Sequence, residues 1–143
     1  MIDKEKILDL FSLKGEVAIV TGGAGRLGVK HIGILQKAGA KVVSFDISKN
    51  KGLNGLADQI AVDITNPDEA KKAVQKVVRK YKKIDILCNL VGGVSEKSIV
   101  EDVTLNVWNR MMDVNLLSVF LMMRPAIRSM KINRFGRIVN IAA

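Results

Sequence analysis

Apolar and polar positions fall along the chain in blocks of two kinds. Short apolar runs bounded by glycine or polar turns read as strands buried on both faces. They are VAIV (17–20), KVVSF (41–45), QIAV (59–62), IDILCNL (84–90) and RIVNI (137–141). Between them, apolar residues recur at helical spacing. In 26–38, Leu27, His31, Ile34, Leu35 and Ala38 share one side, and Gly39 supplies a stop signal. Asn66-Pro67-Asp68-Glu69 reads as a helix start: Asn66 caps, Pro67 suits the first position and Glu69 reaches back. That helix runs to about Lys82. From about Thr104 to Met130, Leu105, Trp108, Met112, Leu116, Val119, Phe120, Met123, Ile127 and Met130 trace a second apolar stripe. It is expected to serve as core or interface, with a kink at Pro125. Residues 50–59 are polar with two glycines, so a helix there is short or absent.

This alternation implies an α/β fold whose parallel sheet is covered on both faces. Right-handed crossovers then give a doubly wound, Rossmann-like sheet of order 3-2-1-4-5. No repeat or linker interrupts the chain, so residues 1–143 are expected to form a single domain.

Composition narrows the function. Apolar residues make up 48% of 143 residues, which supports a packed core rather than disorder. No apolar run is long enough to cross a membrane, and the charged start MIDKEKILDLFSLKG lacks a signal-peptide core. The one cysteine, Cys88, cannot form an internal disulfide, which fits a cytoplasmic protein. Within its strand it reads as a small core residue rather than a nucleophile. Much of the net charge of +9 lies in KKAVQKVVRKYKK (71–83), read as a solvated helix face. Aromatics are few and no nucleic-acid-binding motif is present, so neither a membrane nor a nucleic acid is the expected partner.

The chemistry gathers in TGGAGRLG (21–28), between the first strand and the first helix. Gly23, Gly25 and Gly28 satisfy G-x-G-x-x-G in the context that makes it informative. The first glycine allows the tight turn, the second lets backbone N–H groups approach a pyrophosphate, and the third lets helix and strand pack closely. Asp46 ends the second strand. A carboxylate there accepts hydrogen bonds from ribose hydroxyls and repels a 2′-phosphate, which favours NAD over NADP. Asp63, ending the third strand in VDITN, can accept from the adenine amino group. For Asp46 and Asp63 a turn role is the alternative. Ile47 and Ile64 follow these carboxylates and are counted with the same site. No metal-ligand cluster is apparent, and His31 reads as a packed or surface residue.

Together these residues resemble the short-chain dehydrogenase/reductase family, from FSLKGEVAIVTGG to GRIVNIAA. The family loop T-G-x-x-x-G-x-G is matched at Thr21, Gly22 and Gly28, with Arg26 in place of the middle glycine and Leu27 beside it. The Asp in VDITN looks like the family's adenine-contacting Asp. IDILCNLVGG resembles the segment that usually holds N-N-A-G: Asn89 and Gly92 match, while Leu90 and Val91 replace the other two. The resemblance implies that Asn89 supports the sheet beside the cofactor and that Val91 and Gly92 flank the nicotinamide ribose. WNRMMDVNLLSVF is similar to the long central helix, which makes Asn115 the catalytic-tetrad Asn that orders a water in the proton relay. The implied activity is NAD-dependent hydride transfer between an alcohol and a carbonyl on a small-molecule substrate. The opening resembles sugar-acid or polyol dehydrogenases. Homo-oligomerisation through the 104–130 helix is also implied.

Two departures follow from the same comparison. The family's fifth strand ends N-I-x-S with a catalytic Ser, where Ala143 has no hydroxyl to donate. The family's Tyr-x-x-x-Lys is absent, and the sole tyrosine, Tyr81, is followed four residues on by Asp85. The chain is therefore expected to be the cofactor-binding front segment of a longer dehydrogenase, truncated after the fifth strand, with little or no turnover alone. The alternative is a non-catalytic dinucleotide-binding module or remnant.

Overall fold

The computed structural model describes residues 10–93 and 99–141; Ala143 lies outside them. Five strands form one sheet: β1 (Val17–Thr21), β2 (Lys41–Asp46), β3 (Asp58–Ala61), β4 (Ile86–Asn89) and β5 (Arg137–Asn140). Every pairing is parallel and the order is β3-β2-β1-β4-β5, as the crossover argument requires. Helices α1 (Arg26–Lys37), α2 (Pro67–Tyr81) and α4 (Ser118–Asn133) cover the sheet, and a π-helical turn at Asp113–Leu117 joins α4 to a preceding helix α3 (Leu105–Met112), which has no buried residue. A 3₁₀ turn, Lys51–Leu53, stands where a short or absent helix is expected.

Successive residues of a strand point to opposite faces, so β1 feeds two cores. Val17 and Ile19 join Val43, Phe45 and Leu87 beneath Val74 and Val77 of α2 and Met122 and Ala126 of α4. Ala18 and Val20 join Val42, Cys88 and Leu53 beneath Ile32 of α1. All five β1 residues are buried, which explains a run without alternation.

Three local expectations are revised. The sheet-facing side of α1 is Gly28 and Ile32, with Val29 and Leu35 packed beside them, while Leu27 and Ile34 are exposed. Gly28 counts for nothing in an apolar pattern, yet it brings backbone against backbone. The long helix turns Ser118, Met122, Ala126 and Ser129 inward, and Leu105, Trp108, Leu116 and Phe120 outward. Ser129 Oγ is spent accepting the Ile84 N–H at 3.1 Å, and with Ser118 and Ala126 it makes most of the inward row small or polar, beside Met122 and Met130. The helix α4 continues through Pro125, and the departure from α-helical geometry falls upstream at Asp113–Leu117. At the start of α2, Asn66 Oδ1 accepts the N–H groups of Asp68 and Glu69. The Glu69 side chain reaches past Asn66 to the Asp63 N–H, at 3.1 Å.

Candidate functional site

Parallel register assembles the site at the carboxyl ends of the strands. Thr21 lies opposite Phe45 on β2 and opposite Asn89 on β4. The glycine loop after β1 therefore lies between Asp46 on one side and Leu90–Val91 on the other. This is where strand order changes direction, the usual crevice of an open α/β sheet. Buried Thr21 ties the crevice together: its Oγ1 accepts the N–H of Leu90 at 3.1 Å and of Val91 at 3.4 Å.

The loop has little room for side chains. Gly22 takes φ 66°, a left-handed conformation, with Leu90 and Val91 within 3.3 Å of where a Cβ would stand. A Cβ on Gly28 would strike the Gly22 carbonyl oxygen and come within 2.6 Å of the Gly23 Cα. Gly23 is closed in by Ser44 and Ile32. Gly25 stands at the N-cap of α1 with no side-chain cap, and no acidic residue occupies the first turn. The partial positive end of the helix thus meets open space. That space is a cleft of about 780 Å³ lined by the loop, Arg26, Leu27, Lys30, Asn50 and Leu90.

Asp46 lies beside Ala24, one of the residues lining this cleft. Its Oδ2 accepts the Ala24 N–H at 3.1 Å, and its Oδ1 accepts the Ser48 N–H at 3.2 Å. The next residue, Ile47, is exposed. Asn50 adds a second tie, donating from Nδ2 to the Ala24 carbonyl at 3.1 Å. Asp63 lies two residues past the end of β3 rather than at it. Its Oδ1 accepts the N–H and hydroxyl of Thr65, which is a turn role, while Ile64 beside it is buried.

On the β4 side, Asn89 is buried and donates from Nδ2 to Asn140 Oδ1 on β5 at 2.8 Å. Its Oδ1 is buried without a hydrogen-bond partner among the described residues. Beyond Val91 and Gly92, the chain is held by Asn115. Oδ1 of Asn115 accepts the Gly93 N–H at 2.9 Å, and its Nδ2 donates to the Gly93 carbonyl at 3.0 Å and the Met111 carbonyl at 2.8 Å. Asn115 sits in the π-helical turn. Cys88 is buried, and burial raises its thiol pKa, which keeps it protonated and inert. His31 is half-buried, with Nδ1 against the Leu27 carbonyl at 3.0 Å. Tyr81 is at the far end of the sheet, where its hydroxyl donates to Asp58 at 2.6 Å. Among the described residues no group of His, Cys, Asp or Glu is placed to hold a metal.

The family model for short chain dehydrogenase matches residues 16–143. The chain belongs to the short-chain dehydrogenase family. It is 35% identical over 137 residues to a 3-alpha-(or 20-beta)-hydroxysteroid dehydrogenase of Mycobacterium tuberculosis, covering 92% of this chain and 52% of that one. It is 34% identical over 142 residues to an NAD-dependent glycerol dehydrogenase of Listeria innocua, covering 93% and 54%. The solved structure of an NAD+-bound xylitol dehydrogenase superposes with a TM-score of 0.84 at 26% identity, covering 91% of this chain and 54% of that one. The chain thus spans about half the length of the curated relatives it matches.

Several lining residues have no mark in the sequence. Asn50 and Lys30 fall outside the glycine motif, and Asn140 pairs with Asn89 only through strand register. Thr21 is visible as the first residue of the loop pattern, although its bridging role is not.

Proposed function

We propose that this domain, residues 1–143, binds NAD(H) and forms the cofactor-holding part of an oxidoreductase that interconverts an alcohol and a carbonyl. The observation that carries this reading is the side-chain-free glycine cradle over the uncapped start of α1, with the Asp46 carboxylate at its edge. The residues fit the group: side chains are excluded at Gly22 and Gly28 by Leu90, Val91 and the loop's own backbone, so the loop packs tightly against the uncapped start of α1 and leaves backbone rather than side chains beside a pyrophosphate. When bound, the nicotinamide supplies or accepts the hydride.

The chain's own residues divide the remaining work. N–H groups of Arg26 and Leu27 face the pyrophosphate, and Gly22, Gly23, Gly28 and Gly25, whose own N–H donates to the Gly22 carbonyl at 3.1 Å, keep that approach open. Asp46 accepts from the adenosine ribose, Ile47, Asp63 and Ile64 border the adenine, and the negative charge of Asp46 disfavours a 2′-phosphate. Val91 and Gly92 flank the nicotinamide ribose. Asn89 braces the sheet below them, and Asn115 holds Gly93 at the edge where the proton relay would run. A polyol or sugar-acid substrate agrees with the chain's opening residues and with its similarity to a glycerol and a xylitol dehydrogenase. Turnover by these residues alone is expected to be slight, because Ala143 offers no hydroxyl and Tyr-x-x-x-Lys is absent from them.

Titration with NADH and NADPH, followed by nicotinamide fluorescence and by calorimetry, tests the reading. NADH should bind, and more tightly than NADPH. Failure of both to bind would sink it.

A further inference from the structure

We propose that the groove between α2 and α4 docks a short acidic helix of a partner protein, anchored by apolar side chains. The groove holds about 450 Å³ and lies in the α2/α4 layer, across the sheet from α1 and the nucleotide cleft. Lys71, Arg79 and Lys82 line it from the α2 side and Arg128 from α4, and no Asp or Glu is among its lining residues. The described ion pairs use Lys80, Lys83 and Arg137, and none engages these four cations. Between the cations run Val78 and Pro125, half-buried, and Ile132, which is 82% exposed.

Helix dipoles explain part of this charge, since Arg79 and Lys82 sit at the carboxyl end of α2. They do not explain Lys71, just past the first turn of α2, or Arg128 in the middle of α4. Four cations outside the described ion pairs, spread along one apolar strip, match an occupant that is both acidic and apolar. From Lys71 to Lys82 the groove runs roughly 16 Å at the helical rise per residue, the length of about three turns. An amphipathic helix in a two-helix groove, with acidic rows flanking its apolar row, meets that description. A single strand of nucleic acid stacks its bases on aromatics, and none lines the groove. A bilayer takes a broad row of protruding apolar side chains, whereas Ile132 is the one exposed apolar residue of the groove's lining and Val78 and Pro125 are recessed between the helices.

The probe is a fluorescein-labelled peptide of glutamate and leucine with leucines three and four residues apart, read by anisotropy against the whole chain. It should bind, weaken with added salt, and lose at least tenfold in affinity with Arg79→Glu and, separately, with Arg128→Glu. Circular dichroism and NADH titration of both variants should match the unsubstituted chain, since neither residue touches the core or the nucleotide cleft. The proposal is overturned if the peptide does not bind, if both variants bind it unchanged, or if a scrambled peptide of equal composition binds as well. It is also overturned if polyadenylate or phosphatidylserine vesicles bind more tightly and respond to the same variants, which would assign the groove to nucleic acid or to a membrane.

Discussion

The Asp46 carboxylate accepts the backbone N–H of Ala24 at 3.1 Å, so the end of β2 is tied to the glycine loop after β1. One carboxylate thereby fixes the position of the loop. Its other oxygen is held by the Ser48 N–H and, weakly, by the Ser48 hydroxyl at 3.4 Å.

Replacing Asp46 with Ala should cost NADH binding about tenfold or more, the scale of a lost hydrogen bond to a charged group. NADPH should lose less, because the repulsion of its 2′-phosphate disappears with the carboxylate. Calorimetric titration of both nucleotides reads the ratio. An unchanged preference removes Asp46 from cofactor choice.

Gly28→Ala places a Cβ against the Gly22 carbonyl and the Gly23 Cα, both backbone atoms that cannot rotate away. The expected cost is about 1–3 kcal/mol of stability, as for overpacking elsewhere. NADH binding should fail in the folded variant as the loop is pushed toward the cleft. Urea unfolding checks the first part, and a midpoint equal to that of the unsubstituted chain would mean the loop yields freely.

Asn115→Ala removes both bonds that hold Gly93. Hydrogen exchange at the Gly93 amide should speed at least tenfold while the β1 amides keep their protection. Equal exchange at Gly93 would show that Asn115 is not what holds this turn. The side chain is exposed, so global stability should change little.

Stability should fall in acid through Asp58. Hydrogen bonds from Lys80 first, then Tyr81, hold its carboxyl below the ordinary 3.8. A depressed folded value means the contribution is complete above 3.8 and is lost as pH drops through the folded value. Tyr81 behaves oppositely: burial, then Asp58, raises its phenol above 10.0. Its contribution is complete below 10.0 and is lost as pH rises through the folded value. Asp58→Asn should cost under about 1 kcal/mol near neutrality, since the pair is exposed and screened. It should also flatten the acid limb of a urea-midpoint profile. An acid limb of unchanged slope would rule Asp58 out as its source.

Much of the architecture is legible from pattern alone. VAIV and KVVSF are apolar at every position or nearly so, which only a strand covered on both faces requires, and crossover handedness then orders the sheet. The glycine loop is legible for a similar reason, since backbone approach to a phosphate needs positions without side chains. The inward face of α1 was less so. Gly28 and Ile32 meet the sheet, whereas the apolar Leu27 and Ile34 do not, because the close contact at Gly28 sets the helix rotation. In the long helix, Ser118 and Ser129 are buried by using their hydroxyls on the Val114 carbonyl and the Ile84 N–H. The hydropathy stripe therefore splits: Met130, with Met123 beside it, joins the core, while Leu105, Trp108, Met112, Leu116 and Phe120 face outward.

By itself, the sequence determined the elements and the glycine-rich loop, because each depends on residues near one another along the chain, and crossover handedness then set their order in the sheet. Tertiary structure alone decided the pairings Thr21 with Leu90, Asp46 with Ala24, Asn89 with Asn140 and Asn115 with Gly93. These bonds join residues on different elements, and their geometry depends on strand register and helix rotation. Both are settled by packing across the sheet, which no local periodicity carries.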